Sequence, residues 1–361
     1  MMKTPLPRLI LVALVLSALL LFNATEARTV YRFEGWSGTH TDFYAGIWQP
    51  NHQVLEGKSP YQDPSLKLDP PSVYPPSGFL PYLPLSWFAP HTAVVLFQLL
   101  LIAAAAGTLV ALRIRGPEQW VLWLACPLVV LPLLEGNITT TVVLAIALMW
   151  RWRDHAVLAA SALTAAIAIK LFAAPLLIWL LITRRYRAAA ITAAATPVVI
   201  LGSWSLIKFH GISDYPAVLK LASNAFGADG PFLQGLVRQL GQSAAVALAI
   251  GTVAACVLIV LASRTGEVQS LALVSLACLA LSPIAWNFYA GILVVPLAAA
   301  ELPLTAWLIL PSFWIVSWWY TPLPYKSAEL SVVNLLICAI LVAVVTRRRA
   351  RPLGATTLAP A

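Results

Sequence analysis

The chain has 361 residues, 60% of them hydrophobic and 10% charged, with mean hydropathy +0.83. A soluble globular protein is about half apolar and a quarter charged, so the composition excludes that class and predicts an all-α polytopic membrane protein. The formal net charge of +9 raises nucleic acid as a partner, and the placement of the charges excludes it.

A membrane-spanning helix needs roughly 20 apolar residues. Apolar runs lie at 8–26, 91–112, 118–134, 137–150, 156–169, 171–183, 187–206, 242–263, 267–286, 287–301, 303–320 and 328–346, about twelve in all and several of them short. The first is read as an uncleaved anchor, because Lys3 and Arg8 precede it and no small-residue cleavage site follows. With the N-terminus inside and the runs alternating, the inner loops hold 14 of the 23 Lys and Arg residues, among them Arg113, Arg151, Arg153, Arg184, Arg185, Arg264 and Arg347. Only Glu118, Asp154, Glu267 and Glu301 oppose them there. This asymmetry is the positive-inside pattern, and it puts both termini in the cytoplasm. The basic charge is thus a topology signal. Residues 1–346 form one membrane domain and 347–361 a cytoplasmic tail.

Two outer loops are long enough to hold structure, 27–90 and 207–241. The first carries ten prolines between positions 50 and 90, which predicts a rigid, turn-rich cap. Its apolar piece 78–90 is too short to span and is expected to re-enter or lie on the membrane surface. The short runs between the loops, interrupted by Glu135-Gly136-Asn137, Lys170 and Pro175, should stop below the surface and leave a polar-lined hollow. Cys126, Cys256, Cys278 and Cys338 sit inside apolar runs and are expected to be small buried hydrophobes, with no metal-ligand spacing or disulfide pairing.

Chemistry is expected where polar residues gather outside. Asp42 can serve as a general base if it reaches an attacking hydroxyl, or as a helix N-cap. Tyr44, Tyr61 and Tyr74 accompany it as candidate substrate contacts. Lys170 is an intramembrane cation, by default a functional-site candidate, suited to a phosphate; the alternatives are snorkelling or pairing with Glu135. Asn137 can bind a sugar hydroxyl or cap a helix. His210 can contact phosphate or stand on the surface. Trp286 can stack on a sugar, with Asn287 beside it, or anchor at the interface. Trp314, Trp318, Trp319, Tyr320 and Tyr325 read as an aromatic belt.

Asp42-Phe43-Tyr44, then Gly57-x-x-Pro60-Tyr61, then Tyr74-Pro75-Pro76 resemble the opening of glycosyltransferase family 87. This family comprises polyprenol-phosphate-sugar-dependent membrane enzymes of the GT-C superfamily, typified by α-1,2-mannosyltransferases. Gly136-Asn137 resembles its Gly-Gln-x-Asn turn, Lys170 with Pro175 its Lys-x-x-Pro step, and Ser282-Pro283 with Trp286 its Ser-Pro-x-x-Trp signature; together these cover about residues 40 to 290. The resemblance implies a GT-C fold with about twelve transmembrane helices and two structured extracytoplasmic loops, in the plasma membrane. It implies Asp42 as the catalytic base and a sugar carried on a single polyprenyl phosphate. It further implies a glycolipid or glycan acceptor, and inversion on the extracytoplasmic face without a cofactor or an obligatory metal. Lys170, with His210, would receive the phosphate. The turn Gly136-Asn137-Ile138-Thr139 departs from the family by lacking Gln after Gly, which leaves the sugar contact at this turn, and the sugar itself, open. Mannose is the expected sugar and arabinofuranose its rival. A transporter or lipid flippase is the rival from another class, disfavoured because its binding residues would lie at the midplane between internal repeats, whereas acids and tyrosines here concentrate in outer loops.

Overall fold

A computed structural model describes residues 42–61, 72–317 and 328–347, which are helical with no strand among them. The run at 8–26, residues 27–41 of the first loop, the aromatics at 318–325 and most of the C-terminal tail lie outside the described residues. Each of the other apolar runs falls on a helix or helix pair. Among the described residues, four helices are long and apolar enough to cross a membrane, namely Pro90–Ala111, Tyr186–Leu206, Ala244–Ala262 and Ala328–Arg347. A fifth span results if Pro117–Leu124 and Pro127–Glu135, bent by 45° at their junction, count as one. The remaining apolar helices, such as Thr139–Arg151 and Ala156–Ile169, have 10–17 residues. At 1.5 Å per residue such a helix covers only about 15–26 Å, less than a hydrocarbon core of about 30 Å.

Among the described residues, two of the apolar clusters are large. The larger joins the helices from Pro90 to Val345, around Trp123, Trp179, Phe288 and Trp307. The smaller sits over one end, where Phe43, Ile47, Tyr61, Tyr74 and Phe79 of the first loop pack against Phe97, Ile138, Trp204 and Val218. The first loop is therefore a built cap. It enters as a π-helical turn, Tyr44–Trp48, that runs into the helix Gln49–Leu55. It leaves through a short helix, Pro76–Phe79, and a 3-10 helix, Leu80–Trp87. The segment 78–90 does not cross: a 3-10 helix of eight residues rises only about 16 Å, and Trp87 and Phe88 end it exposed. The cap is locked to the second loop by aromatic packing. Tyr61 lies 5.2 Å from Trp204 and 5.0 Å from Tyr215 between ring centroids, and its hydroxyl donates to the Tyr74 carbonyl at 2.8 Å. The Tyr215 hydroxyl donates to the carbonyl of Val73 at 3.0 Å.

At the opposite end, the turns at 151–155 and 184–185 and the start of the Glu267–Leu281 helix meet in an ion cluster. Glu267 accepts from Arg153 Nε at 3.0 Å and from an Arg185 guanidinium nitrogen at 2.7 Å. Arg185 also bonds Asp154 at 2.8 Å, and that bond holds the Asp154 carboxyl below its ordinary value. Arg153 stacks over Trp150, 4.2 Å from the ring centroid. Three segments that charge counting assigns to one side are thus gathered at one end of the bundle.

Two expectations are corrected here. Cys126, Cys278 and Cys338 are buried, but Cys256 is exposed on the Ala244–Ala262 helix, whose outer face shows Val246, Leu248, Val253 and Val257. Hydrocarbon lipid is as apolar as a protein core, so an apolar run does not fix which of its faces is inward. Trp314 is not part of a surface belt: it is buried, and its indole donates to the Ala125 carbonyl at 3.1 Å.

Candidate active site

The polar site forms where three chain breaks meet the cap. The helix Pro127–Glu135 stops at Gly136, whose φ of +67° and ψ of +38° are left-handed, a conformation glycine adopts without penalty. The backbone N–H of Asn137 returns to the carbonyl of Pro132 at 2.7 Å, closing the turn so that the Asn137 side chain lies ahead of the Thr139–Arg151 helix. Its Oδ1 accepts from the backbone N–H of Thr139 at 3.0 Å, a side-chain cap on the next helix.

The second break is Lys170. The helix Ala156–Ile169 ends there in extended backbone, φ −145° and ψ 115°, followed by one 3-10 turn, Leu171–Ala173, and the helix Leu176–Ile182. Backbone freed inside a membrane must be satisfied by protein. Here Ser77 of the cap donates to the Ala168 carbonyl at 2.7 Å, so the cap stabilises the break that presents Lys170. The lysine is 7% exposed. Its three ammonium protons reach Thr139 Oγ1 at 2.8 Å, Tyr289 Oη at 2.9 Å and Asn137 Oδ1 at 3.0 Å. The ammonium also lies 4.1 Å from the Tyr289 ring centroid and 5.3 Å from that of Tyr74, within cation–π range.

The third break is the 3-10 helix Asn287–Leu293, which brings Tyr289 in with Phe172 packed on its ring at 4.8 Å. Asp42 comes from the cap. Asp42 precedes Phe43, which is 1% exposed and stacks on Phe97 at 4.8 Å. Phe43 also presses on Gly136: a Cβ added to the glycine would lie 2.5 Å from Phe43 Cβ. This contact sets Asp42 against the turn, and Asn137 Nδ2 donates to Asp42 Oδ2 at 2.5 Å. Burial pushes the Asp42 carboxyl above its ordinary value, while the Asn137 bond and the Lys170 charge pull it back.

The structure thus brings Asp42, Asn137, Lys170 and Tyr74 together. It sets the other sequence candidates elsewhere. Tyr44 stacks on Trp48 at 5.3 Å along the cap helix, and Tyr61 belongs to the aromatic lock between the loops. His210 stands exposed on the turn after Tyr186–Leu206, where its backbone N–H donates to the Ile207 carbonyl at 3.1 Å. Trp286 packs near Phe226, 6.2 Å between centroids. Asn287 is buried, and its amide donates to Ser317 Oγ at 2.5 Å. Sequence reasoning missed Thr139 and Tyr289. A tyrosine two positions beyond Asn287 in an apolar run was the available signal for the second.

A carboxylate here can take a proton from a hydroxyl, and the buried ammonium beside it can steady an anionic leaving group. Comparison with known proteins agrees with such transfer chemistry. The model of glycosyltransferase family 87 matches residues 73–285, more than half of the chain, including Tyr74, Asn137 and Lys170 but beginning after Asp42 and ending before Trp286. Searches of curated proteins and of solved structures gave no match. The chain therefore belongs to glycosyltransferase family 87 and is a membrane glycosyltransferase.

Proposed function

We propose that the protein transfers a sugar, mannose by preference, from a polyprenyl phosphate to a hydroxyl of a glycolipid or glycan on the extracytoplasmic face. The observation that carries this reading is the meeting of Asp42, Asn137, Lys170 and Tyr289 at the end of the bundle opposite the arginine cluster. In the proposed step the acceptor oxygen attacks the anomeric carbon from the face opposite the phosphate. The bond from that carbon to the phosphate oxygen breaks, its electron pair leaves with polyprenyl phosphate, and the acceptor proton passes to Asp42. Configuration at the anomeric carbon inverts.

Lys170 supplies the positive charge for the departing phosphate. All three of its protons are engaged, so the phosphate takes the place of one neutral acceptor. Tyr289 is the natural one to yield, because Asn137 and Thr139 also hold each other. The aryl faces of Tyr74 and Tyr289 would remain around the ammonium.

Purified protein in lipid vesicles, given labelled polyprenyl-phosphate-mannose or polyprenyl-phosphate-arabinose with membrane glycolipid extract, should label a product from the mannose donor. Label from the arabinose donor alone would replace mannose with arabinofuranose as the sugar. Label from neither would refute the lipid-phosphate reading.

A further inference from the structure

Asn137 touches both charged groups of the site, and its surroundings dictate how its amide is turned. It is 2% exposed. Three donors converge on Oδ1: Thr139 Oγ1 at 2.6 Å, the Thr139 backbone N–H at 3.0 Å and Lys170 Nζ at 3.0 Å. On the other side, Nδ2 meets Asp42 Oδ2. A flipped amide would aim N–H groups at an ammonium and its oxygen at a carboxylate, so only one orientation is compatible with these neighbours. The Thr139 hydroxyl is fixed in the same way: it accepts from Lys170 and therefore gives its single proton to Asn137. Hydrogen bonds aligned head to tail polarise one another, so the ammonium at one end strengthens the N–H donor at the other. Asp42 Oδ2 is occupied by this bond, and Oδ1 accepts none from a described residue.

We propose that Asn137 is a positioning residue, held by Lys170 and Thr139 so that it orients the Asp42 carboxylate and leaves the second oxygen to the acceptor hydroxyl. This rests on the reading of Asp42 as the base. Asn137 then contacts no sugar. Its missing Gln-length arm matters because Asn is short enough to take Thr139 N–H, Lys170 and Asp42 at once.

The test is the pH dependence of transfer from polyprenyl-phosphate-mannose, measured for wild type, Asn137→Ala, Asn137→Asp and Asp42→Asn, with thermal unfolding followed in the same detergent. A donor to the charged form favours that form. Asn137→Ala should therefore lower kcat about ten-fold or more, with donor KM within about two-fold, and move the acid limb up by about one pH unit. Asn137→Asp keeps an acceptor oxygen for Lys170 and Thr139, and hence the fold, but sets a like charge against Asp42; its acid limb should move further up. If Asn137→Ala does not fold, Asn137→Asp decides alone. A packing role would lower the unfolding temperature and leave the limb in place. Wild-type limbs in the folded Asn137 variants, with Asp42→Asn inactive, would overturn the positioning role and leave the base reading intact. An active Asp42→Asn would remove the base reading, and the positioning role with it.

Discussion

Asp42→Asn should lose transfer by at least about 10²-fold in kcat, within the 10²–10⁴-fold range that a positioned general base contributes. The fold should be unaffected, because Asn keeps the shape of Asp and its carbonyl can still accept from Asn137 Nδ2, the partner of Asp42 in the structure. Donor KM should change little, since Lys170 and its three acceptors are untouched. The pH profile gives a second readout. A base works ionised, and burial holds the Asp42 carboxyl above its ordinary value of 3.8. Wild-type kcat/KM should fall as pH drops through a value higher than that of an ordinary aspartate, and the residual activity of Asp42→Asn should lack this acid limb. Near-normal turnover in the folded variant would contradict the base assignment.

Gly136→Ala should damage the site from the backbone. The left-handed φ of +67° costs an L-residue about 1–2 kcal/mol. The new methyl would also stand 2.5 Å from Phe43 Cβ and 3.3 Å from its backbone nitrogen, which adds about 1–3 kcal/mol of overpacking. The strain has two outlets, and both pass through the catalytic cluster: Phe43 moves and takes Asp42 with it, or the turn moves and takes Asn137. Transfer should therefore fall far more than the unfolding temperature does. Gly57, also left-handed but with nothing within 4 Å of an added Cβ, is the control; Gly57→Ala should cost a little stability and no turnover. Wild-type turnover in Gly136→Ala would show that the Phe43–Gly136 contact does not position Asp42.

The helices were largely legible because hydrophobic runs report directly on which segments suit a membrane. The runs at 91–112, 187–206, 242–263 and 328–346 all became long helices. Lys170 was conspicuous for the same reason, as a cation in hydrocarbon, and the Pro175 behind it marked the break. Partnerships across distant segments were not legible. Asn137 meets Asp42 across 95 positions and Tyr289 meets Lys170 across 119; no local spacing encodes either pair. The sequence also could not rank tyrosines. Tyr61 and Tyr74 are neighbours in the same cap, but packing turned Tyr61 into the lock with Trp204 and Tyr215 and Tyr74 toward the lysine. Trp286 and Asn287 were the candidates in the sequence, but the 3-10 turn brings their neighbour Tyr289 into the cluster instead. Facing direction was similarly hidden in Cys256, since lipid and core ask for the same residue types.

In the proposed transfer polyprenyl phosphate leaves as the acceptor is glycosylated. The direct measurement is the amount of free polyprenyl phosphate and of glycosylated acceptor formed by wild-type protein from labelled polyprenyl-phosphate-sugar in vesicles, with the matching nucleotide sugar as a parallel donor. Equal amounts of the two products are expected from the lipid donor, dependent on acceptor, and none from the nucleotide sugar. Transfer directly from the nucleotide sugar, or lipid phosphate released without a glycosylated product, would contradict it.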